Sequence, residues 1–259
     1  MPEFQKNCTV ITGEQPARGL LRLRLAAPEI AAAVRPGQFV MVACGADRDP
    51  LLRRPLSVHN AEAGATIDLL VRVLGRGTAA LARLRAGDTL SVLGPLGRGF
   101  GEAQEGAEVL LVGGGIGCAP LLLLARRLLV RRARPVLLLG AAHAAEARAL
   151  RDCFQGLDCP VHLSTDDGSL GYHGFVTGLL PELAAAASRV YACGPMPMMA
   201  AVARFCGSRL PCEVSLESRM ACGLGACLGC AVPAPDRPGA YRHVCKDGPV
   251  FPANEVLWP

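Results

Sequence analysis

The sequence predicts a chain of mixed class: an all-β barrel, then an α/β domain built on a parallel sheet, then a small loop-rich module. Three observations carry this prediction. Residues 1–103 read as six short strands punctuated by turns, the spacing of a small antiparallel barrel. Residues 104–209 alternate apolar strands with helical segments, the pattern of a parallel sheet covered on both faces. Residues 210–259 show little periodicity but hold a tight group of four cysteines. With 259 residues there is room for two cores and an appendage, since domains commonly run ~100–150 residues.

In the first region the expected strands are 8–12, 20–25, 38–43, 56–60, 66–73 and 89–93. Pro36-Gly37 and Ala86-Gly87-Asp88 supply turn chemistry just ahead of two of them. One helix is expected there, over 79–84, with the Thr78 hydroxyl as its N-cap. The second region gives strands at 108–112, 136–140, 161–164 and 190–192, and helices at 120–131, 144–154 and 196–206.

Composition narrows the functional classes. No apolar run approaches the ~18 residues of a membrane span, and the richest stretch is interrupted by Arg126-Arg127. The N-terminus leads straight into a strand-like segment with no apolar leader, so a cytoplasmic address is expected. Of twelve cysteines only four cluster, which fits free thiols in a reducing compartment better than a disulfide framework. The net charge of +5 comes with arginines such as Arg126, Arg127, Arg131, Arg132 and Arg134, but with only 4% aromatic residues and no interleaved aromatics. This reads as a solvated helix face rather than a nucleic-acid surface.

Cys222, Cys227, Cys230 and Cys245 follow the pattern C-x4-C-x2-C-x14-C, the spacing with which plant-type ferredoxins hold a [2Fe–2S] cluster. Every residue between the first three thiols is small or apolar, so the loop can turn its N–H groups toward sulfur. A four-thiolate zinc site is the rival, although such sites usually repeat C-x2-C twice.

Three further segments have the chemistry to hold phosphates or flat rings. The run from Val112 through Gly113, Gly114, Gly115, Ile116 and Gly117 to Pro120 follows an apolar strand and opens a helix. Backbone can approach a pyrophosphate there, and a helix start offers free N–H donors. The run departs from G-x-G-x-x-G, and a simple tight turn is the alternative reading. Cys193, Gly194 and Pro195 close a strand at the edge of the same sheet, where ligands of open α/β sheets collect; a buried structural cysteine is the alternative there. In the barrel, Arg54-Pro55-Leu56-Ser57 sets a guanidinium three residues before a hydroxyl, suited to a phosphate and a flavin edge or to a plain surface arginine pair with Arg53. Gly75-Arg76-Gly77-Thr78 offers a second phosphate cradle.

In this order the segments resemble the ferredoxin–NADP reductase superfamily. The stretches from Glu217 to Cys230 and from His243 to Phe251, with Gly94-Pro95-Leu96-Gly97-Arg98-Gly99-Phe100, are similar to the electron-transfer subunits of class 1B dihydroorotate dehydrogenases. The resemblance implies a flavin-binding barrel, a nucleotide-binding domain and a [2Fe–2S] module, with FAD, one cluster and NAD as cofactors. It implies FAD contacts from Arg54, Pro55, Leu56, Ser57, Val71, Arg72, Val73, Gly77 and Thr78. NAD would be served by Gly113, Gly114, Gly115, Gly117, Cys193, Gly194 and Pro195. Leu56 departs from the wider superfamily, in which many reductases have Tyr there, so aromatic stacking from that position is lost.

The implied partner is a separate FMN-containing subunit that oxidises dihydroorotate in pyrimidine biosynthesis, in a heterotetramer of two copies of each. No catalytic residue for that oxidation is expected in this chain. NAD takes a hydride while a [2Fe–2S] cluster passes single electrons, so FAD must stand between them. Related reductase subunits of sulfide dehydrogenases, hydrogenases or transhydrogenases share the flavin and nucleotide domains. A regulatory nucleotide-binding module over a zinc site is the reading from another class. The resemblance favours NAD over NADP, and Ala141-Ala142-His143, with no Ser/Arg phosphate pocket, follows strand 136–140.

Overall fold

A computed structural model describes residues 4–45, 49–235, 237 and 239–259. Its first domain is a closed antiparallel barrel in the order β1-β2-β5-β4-β3-β6. The strands are β1 (Phe4–Ala17), β2 (Leu20–Ala26), β3 (Phe39–Val42), β4 (Arg54–Glu62), β5 (Thr66–Arg72) and β6 (Thr89–Leu96). Side chains alternate across each strand. In β2, Leu21, Leu23 and Leu25 are buried in the barrel core while Arg22 and Arg24 face outward.

Two helices accompany the barrel. The sequence reading missed α1 (Pro28–Ala33), which begins with Pro at its first turn and plugs the barrel with Ile30 and Ala31. The second, α2 (Arg76–Leu81), starts earlier than expected, with Gly75 as its N-cap residue. Thr78 is therefore not the cap. It lies one turn inside, and its hydroxyl oxygen accepts from the N–H groups of Leu74 and Gly75 at 3.0 and 3.2 Å, the returning half of a capping box.

The second domain is a seven-stranded sheet in the order β10-β9-β8-β7-β11-β12-β15. It contains β7 (Glu108–Gly114), β8 (Arg134–Ala141), β9 (Val161–Thr165), β10 (Tyr172–His173), β11 (Arg189–Cys193), β12 (Cys212–Ser215) and β15 (Val250–Pro252). Six are parallel and β15 is antiparallel. Helices α3 (Leu121–Val130) and α4 (Ala144–Asp152) cover one face, over Val109, Leu111, Leu137 and Leu139. Helices α5 (Leu180–Leu183) and α6 (Met196–Cys206) cover the other, over Leu110, Val112, Leu138 and Val190.

The C-terminal segment is less of an appendage than its composition suggests. Strand β12 joins the parallel sheet and β15 pairs with it, so both ends of the cysteine loop are anchored in one ladder. Between them lie a two-stranded ribbon of β13 (Ala231–Pro233) and β14 (Tyr241–His243) and the short helix α7 (Val244–Asp247). Cys230, Val244 and Cys245 belong to the same apolar core as α6.

Polar contacts fasten the domains together. Arg126 of α3 donates to Asn60 Oδ1 of β4 at 3.1 Å, while Asn60 and Arg24 both hydrogen-bond the buried Asp68 carboxylate. Arg131 and Arg132 pair with Glu102 and Glu105. Much of the basic face of α3 and its C-terminal turn is thus engaged within the chain. Among the described residues no helix is long and apolar enough to cross a membrane.

Candidate functional site

Three adjoining clefts follow the C-terminal ends of the parallel strands, the edge at which open α/β sheets take ligands. The first lies between barrel and sheet. Pro55, Leu56, Ser57, Val71, Arg72 and Thr78 line it from the barrel, with Ile116 and Ala119 from the turn after β7 and Ser215, Leu216, Glu217, Ser218 and Met220 from the end of β12. Its walls mix apolar side chains with Ser57, Arg72, Thr78, Ser215, Glu217 and Ser218. Val73 stays outside it, donating to Gly19 O at 2.8 Å and packing on the barrel core.

At the outer end the Arg54 guanidinium crosses the start of α2. A Cβ on Gly77 would come within 2.9–3.1 Å of Arg54 atoms, so glycine there is what lets the cation lie beside the helix N–H groups. Arg53 does other work: its guanidinium donates to Ser91 O and Oγ, both at 2.9 Å, and ties β6 to the start of β4.

The second cleft, about 350 Å³, connects the first to the nucleotide domain through Arg72, Gly114, Gly115, Ile116, Gly194, Pro195 and Glu217. Desolvation beside the protein wall raises the carboxyl of Glu217 above its usual range, although the residue keeps an exposed edge. Cys193 is buried at the end of β11, and burial followed by the nearby Glu217 charge pushes its thiol far up, against a hydrogen bond with Ser215. It is a neutral thiol at this junction.

The third cleft is the largest, about 630 Å³, and runs across the ends of β11, β7, β8 and β9. Gly114, Gly115, Gly140, Ala141 and Ala142 form its floor, Pro195, Pro197 and Met198 one wall, and Glu146, Asp166, Phe175, Val176 and Thr177 the rest.

The glycine run divides by role. Gly114 and Gly115 line the cleft, and Gly115 adopts φ +53°, its absent Cβ facing Glu146 Oε1 at 3.8 Å and Arg72 Nη2 at 4.0 Å. Gly113 and Gly117 are buried and serve packing. A Cβ on Gly117 would lie 2.4 Å from Gly194 Cα and 2.6 Å from Cys193 O, so this glycine holds the 3-10 turn Gly115–Cys118 against the end of β11. His143 is exposed to solvent just ahead of α4. It caps α4, its Nδ1 accepting from the Glu146 N–H at 3.3 Å.

The four cysteines meet beside the first cleft in two pairs. Cys230 and Cys245 sulfurs are 3.2 Å apart, and the Cys227 N–H reaches Cys222 Sγ at 3.4 Å. Backbone N–H groups turn toward them, Leu224 and Cys227 to Cys222 Sγ, Gly225 to Cys245 Sγ and Cys245 to Cys230 Sγ, at 3.1–3.4 Å. Burial opposes ionisation of Cys222, but these donors and the Cys227 thiol bring it down to about 6.

Among the described residues no three His, Cys, Asp or Glu side chains are set to hold a single metal ion. Two thiol pairs with N–H donors aimed at sulfur fit the donor set of a two-iron cluster, which takes its four thiolates two to an iron. Gly223 at φ +75° shapes the loop, since a Cβ there would come within 2.5 Å of Met41 in the barrel.

Residues 11–100 match the family described as the oxidoreductase FAD-binding domain. A solved structure of an NADH-dependent reduced ferredoxin-NADP oxidoreductase, described for flavin-based electron bifurcation, superposes with a TM-score of 0.83 at 29% identity, over 97% of this chain and 90% of that one. Fold and clefts thus define a flavin- and nicotinamide-linked reductase of the ferredoxin reductase type. Residues 217–257 match the iron-sulfur cluster binding domain of dihydroorotate dehydrogenase B. The electron transfer subunit of dihydroorotate dehydrogenase B (NAD(+)) from Bacillus caldolyticus is 45% identical over 226 residues, 86% of this chain and 87% of that one. The subunit of the same name from Shouchella clausii is 40% identical over 99% of this chain and 100% of that one. The chain belongs to this family of dihydroorotate dehydrogenase B electron transfer subunits.

Sequence reasoning missed Glu146, Asp166, Phe175 and Met198 at the third cleft. No motif marks them, because only the strand order brings the ends of β8 and β9 beside α6.

Proposed function

We propose that this chain carries electrons from the FMN of a dihydroorotate dehydrogenase catalytic subunit, through a [2Fe–2S] cluster and FAD, to NAD+ in pyrimidine biosynthesis. One observation carries the reading: the three sites are contiguous. Met220 lines the first cleft and Cys222 follows two residues later, a chain reach of at most ~7 Å. On the other side the first and second clefts share Arg72, Ile116 and Glu217, and the second and third share Gly114, Gly115 and Pro195. When bound, FAD exchanges electrons singly with an iron–sulfur centre and as a pair with nicotinamide.

In this reading Pro55, Leu56, Ser57 and Val71 present backbone and apolar contacts to the flavin, and Leu56 fills by packing the place of an aromatic ring. Arg54, with Gly77 and Thr78 at the start of α2, holds the FAD pyrophosphate by charge and N–H donation. Gly114 and Gly115 admit the nicotinamide dinucleotide, with Gly194 and Pro195 shaping the junction and Cys193 packing beneath it. Cys222, Cys227, Cys230 and Cys245 ligate the cluster. The neutral Cys193 thiol adds no charge beneath the junction.

Leu224 and Leu228 are 44% and 58% exposed beside the exposed Cys227. Apolar side chains around the most accessible thiol support this face as the contact with the FMN subunit, in a heterotetramer of two copies of each chain. Cluster thiolates and unpaired cysteines throughout the described residues support a reducing, cytoplasmic setting.

The test is turnover with and without the partner. The isolated chain is expected to oxidise NADH with an artificial acceptor dye and to leave dihydroorotate untouched; adding the FMN subunit is expected to give NAD-linked orotate formation. Orotate formation by the chain alone would overturn the subunit reading. Failure of the FMN subunit to bind would favour a reductase subunit serving another oxidoreductase, as in the bifurcating relative.

A further inference from the structure

We infer that Lys246 tunes the iron–sulfur centre: its stem holds the cysteine loop, and its ammonium is the charge that makes the centre easier to reduce. The inference rests on Cys222, Cys227, Cys230 and Cys245 being the cluster ligands. Lysine is rare in this chain, since among 27 basic residues only Lys6 and Lys246 are lysines and the rest are arginines. Lys6 lies on β1 of the barrel and is paired with Glu29 at 2.7 Å. Lys246 directly follows Cys245 on α7 and is exposed. Among the described residues no hydrogen bond or ion pair engages its ammonium.

The stem meets the loop at one residue. Gly225, between Cys222 and Cys227, has φ +78°, and the place its Cβ would take is 2.7 Å from Lys246 Cδ and 3.1 Å from Lys246 Cβ. The same glycine donates its N–H to Cys245 Sγ at 3.1 Å. The methylenes of Lys246 therefore lie on the very residue that hydrogen-bonds a ligand sulfur, and they hold that donor in position. Adding these two contacts to the bonds that join them leaves Nζ at most about 11 Å from Cys245 Sγ. The acidic groups nearest in the chain are engaged elsewhere. Asp247 accepts from His243 N at 2.7 Å, and Glu255 is paired with Arg242.

A [2Fe–2S] centre gains one negative charge on reduction, and its potential follows net charge, hydrogen bonds to sulfur and exposure. A cation held nearby stabilises the reduced form more than the oxidised one. At ~10 Å and an effective dielectric constant between ~20 and ~80, one unit charge favours reduction by about 2- to 15-fold. For one electron this is ~20–70 mV, at ~59 mV per tenfold. Lys246 is neither oxidised nor reduced. In the proposed relay the electron arrives from the FMN subunit and leaves to FAD.

The test is a dye-mediated redox titration of the purified, FAD-loaded chain, in which the reduced cluster is read by electron paramagnetic resonance. Lys246→Met keeps an unbranched apolar stem and removes the charge. Iron and sulfide content should stay at the parent level while the midpoint falls by ~20–70 mV, the same 2- to 15-fold. Lys246→Arg should keep most of the parent midpoint. Lys246→Ala, which loses the stem as well, should also alter the resonance signal, because the Gly225 N–H loses its support. Lys6→Met removes an equal charge from the barrel and should leave the midpoint unchanged. The difference between parent and Lys246→Met should shrink in high salt. A midpoint that Lys246→Met leaves in place, or that Lys6→Met moves as far, would overturn the assignment while the cluster reading stands. A parent chain without iron and sulfide would overturn both.

Discussion

Arg72 of the barrel is ion-paired with Glu146 of α4, across the line where the first and third clefts meet. Both groups are partly buried, and Gly115 lies about 4 Å from each where its Cβ would be. In the proposed reading a pyrophosphate arriving at Gly115 meets a cation already held by a carboxylate. Glu146→Gln removes that competing charge and should tighten ADP-ribose binding about 3- to 10-fold, on the order of 1 kcal/mol of relieved repulsion. Calorimetry at low and high salt checks this, and the gain should shrink as salt rises.

Arg54 beside Gly77 gives a second expectation. Arg54→Ala removes the guanidinium poised at the start of α2 and should weaken FAD binding by about 10- to 150-fold, the value of a charge-assisted phosphate contact at ~1.5–3 kcal/mol. Flavin retained after dialysis measures it. Arg53→Ala should act through fold stability instead, because its partners are Ser91 and the backbone of β6.

The purified chain should hold FAD and one two-iron cluster in about one-to-one ratio, read from flavin release and from iron and sulfide analysis. Cys227→Ser should abolish the cluster while sparing the flavin, since Cys227 is exposed. Cys230→Ser and Cys245→Ser should also lower stability, because these two thiols are buried in the apolar core shared with α6.

His59 of β4 is fully buried at the domain boundary, its Nδ1–H donating to Ala119 O at 2.7 Å and its ring edge-on to Phe154. Burial lowers its pKa to about 4. Above the unfolded value near 6.5 its contribution is complete; as pH falls the unfolded chain takes up a proton that the folded chain refuses, until about pH 4. From this group stability should drop by about 2 kcal/mol between pH 7.5 and pH 5. Urea denaturation of the parent chain and of His59→Gln isolates the effect, which the variant should lack.

Periodicity and turn chemistry made most of the architecture legible. Barrel strands, the central sheet strands and α3, α4 and α6 all carry enough repeating pattern to be read locally. The helix α1 was missed although Pro28-Glu29 is a good helix start, because its six residues are too few to show a period. Strands β12 and β15 are shorter still, and their membership in the sheet is decided by partners far away in sequence. The cluster cysteines were legible because covalent spacing alone defines them. Gly117 was read as part of a phosphate turn, but its lack of a side chain answers to Gly194, nearly eighty residues on. Asp166 and Phe175 carry no motif at all.

In the β12–β15 ladder Ser215 faces Val250, so the whole excursion 216–249 leaves the sheet and returns to a neighbouring rung. Such a loop has its ends closed by strand pairing, and lengthening it adds entropy only slowly. Changes in the β13–β14 ribbon can therefore accumulate without moving residues 215–220 at the flavin cleft. The fold thus anchors the flavin-cleft residues 215–220 to a ladder rung and lets the ribbon vary at a distance from them.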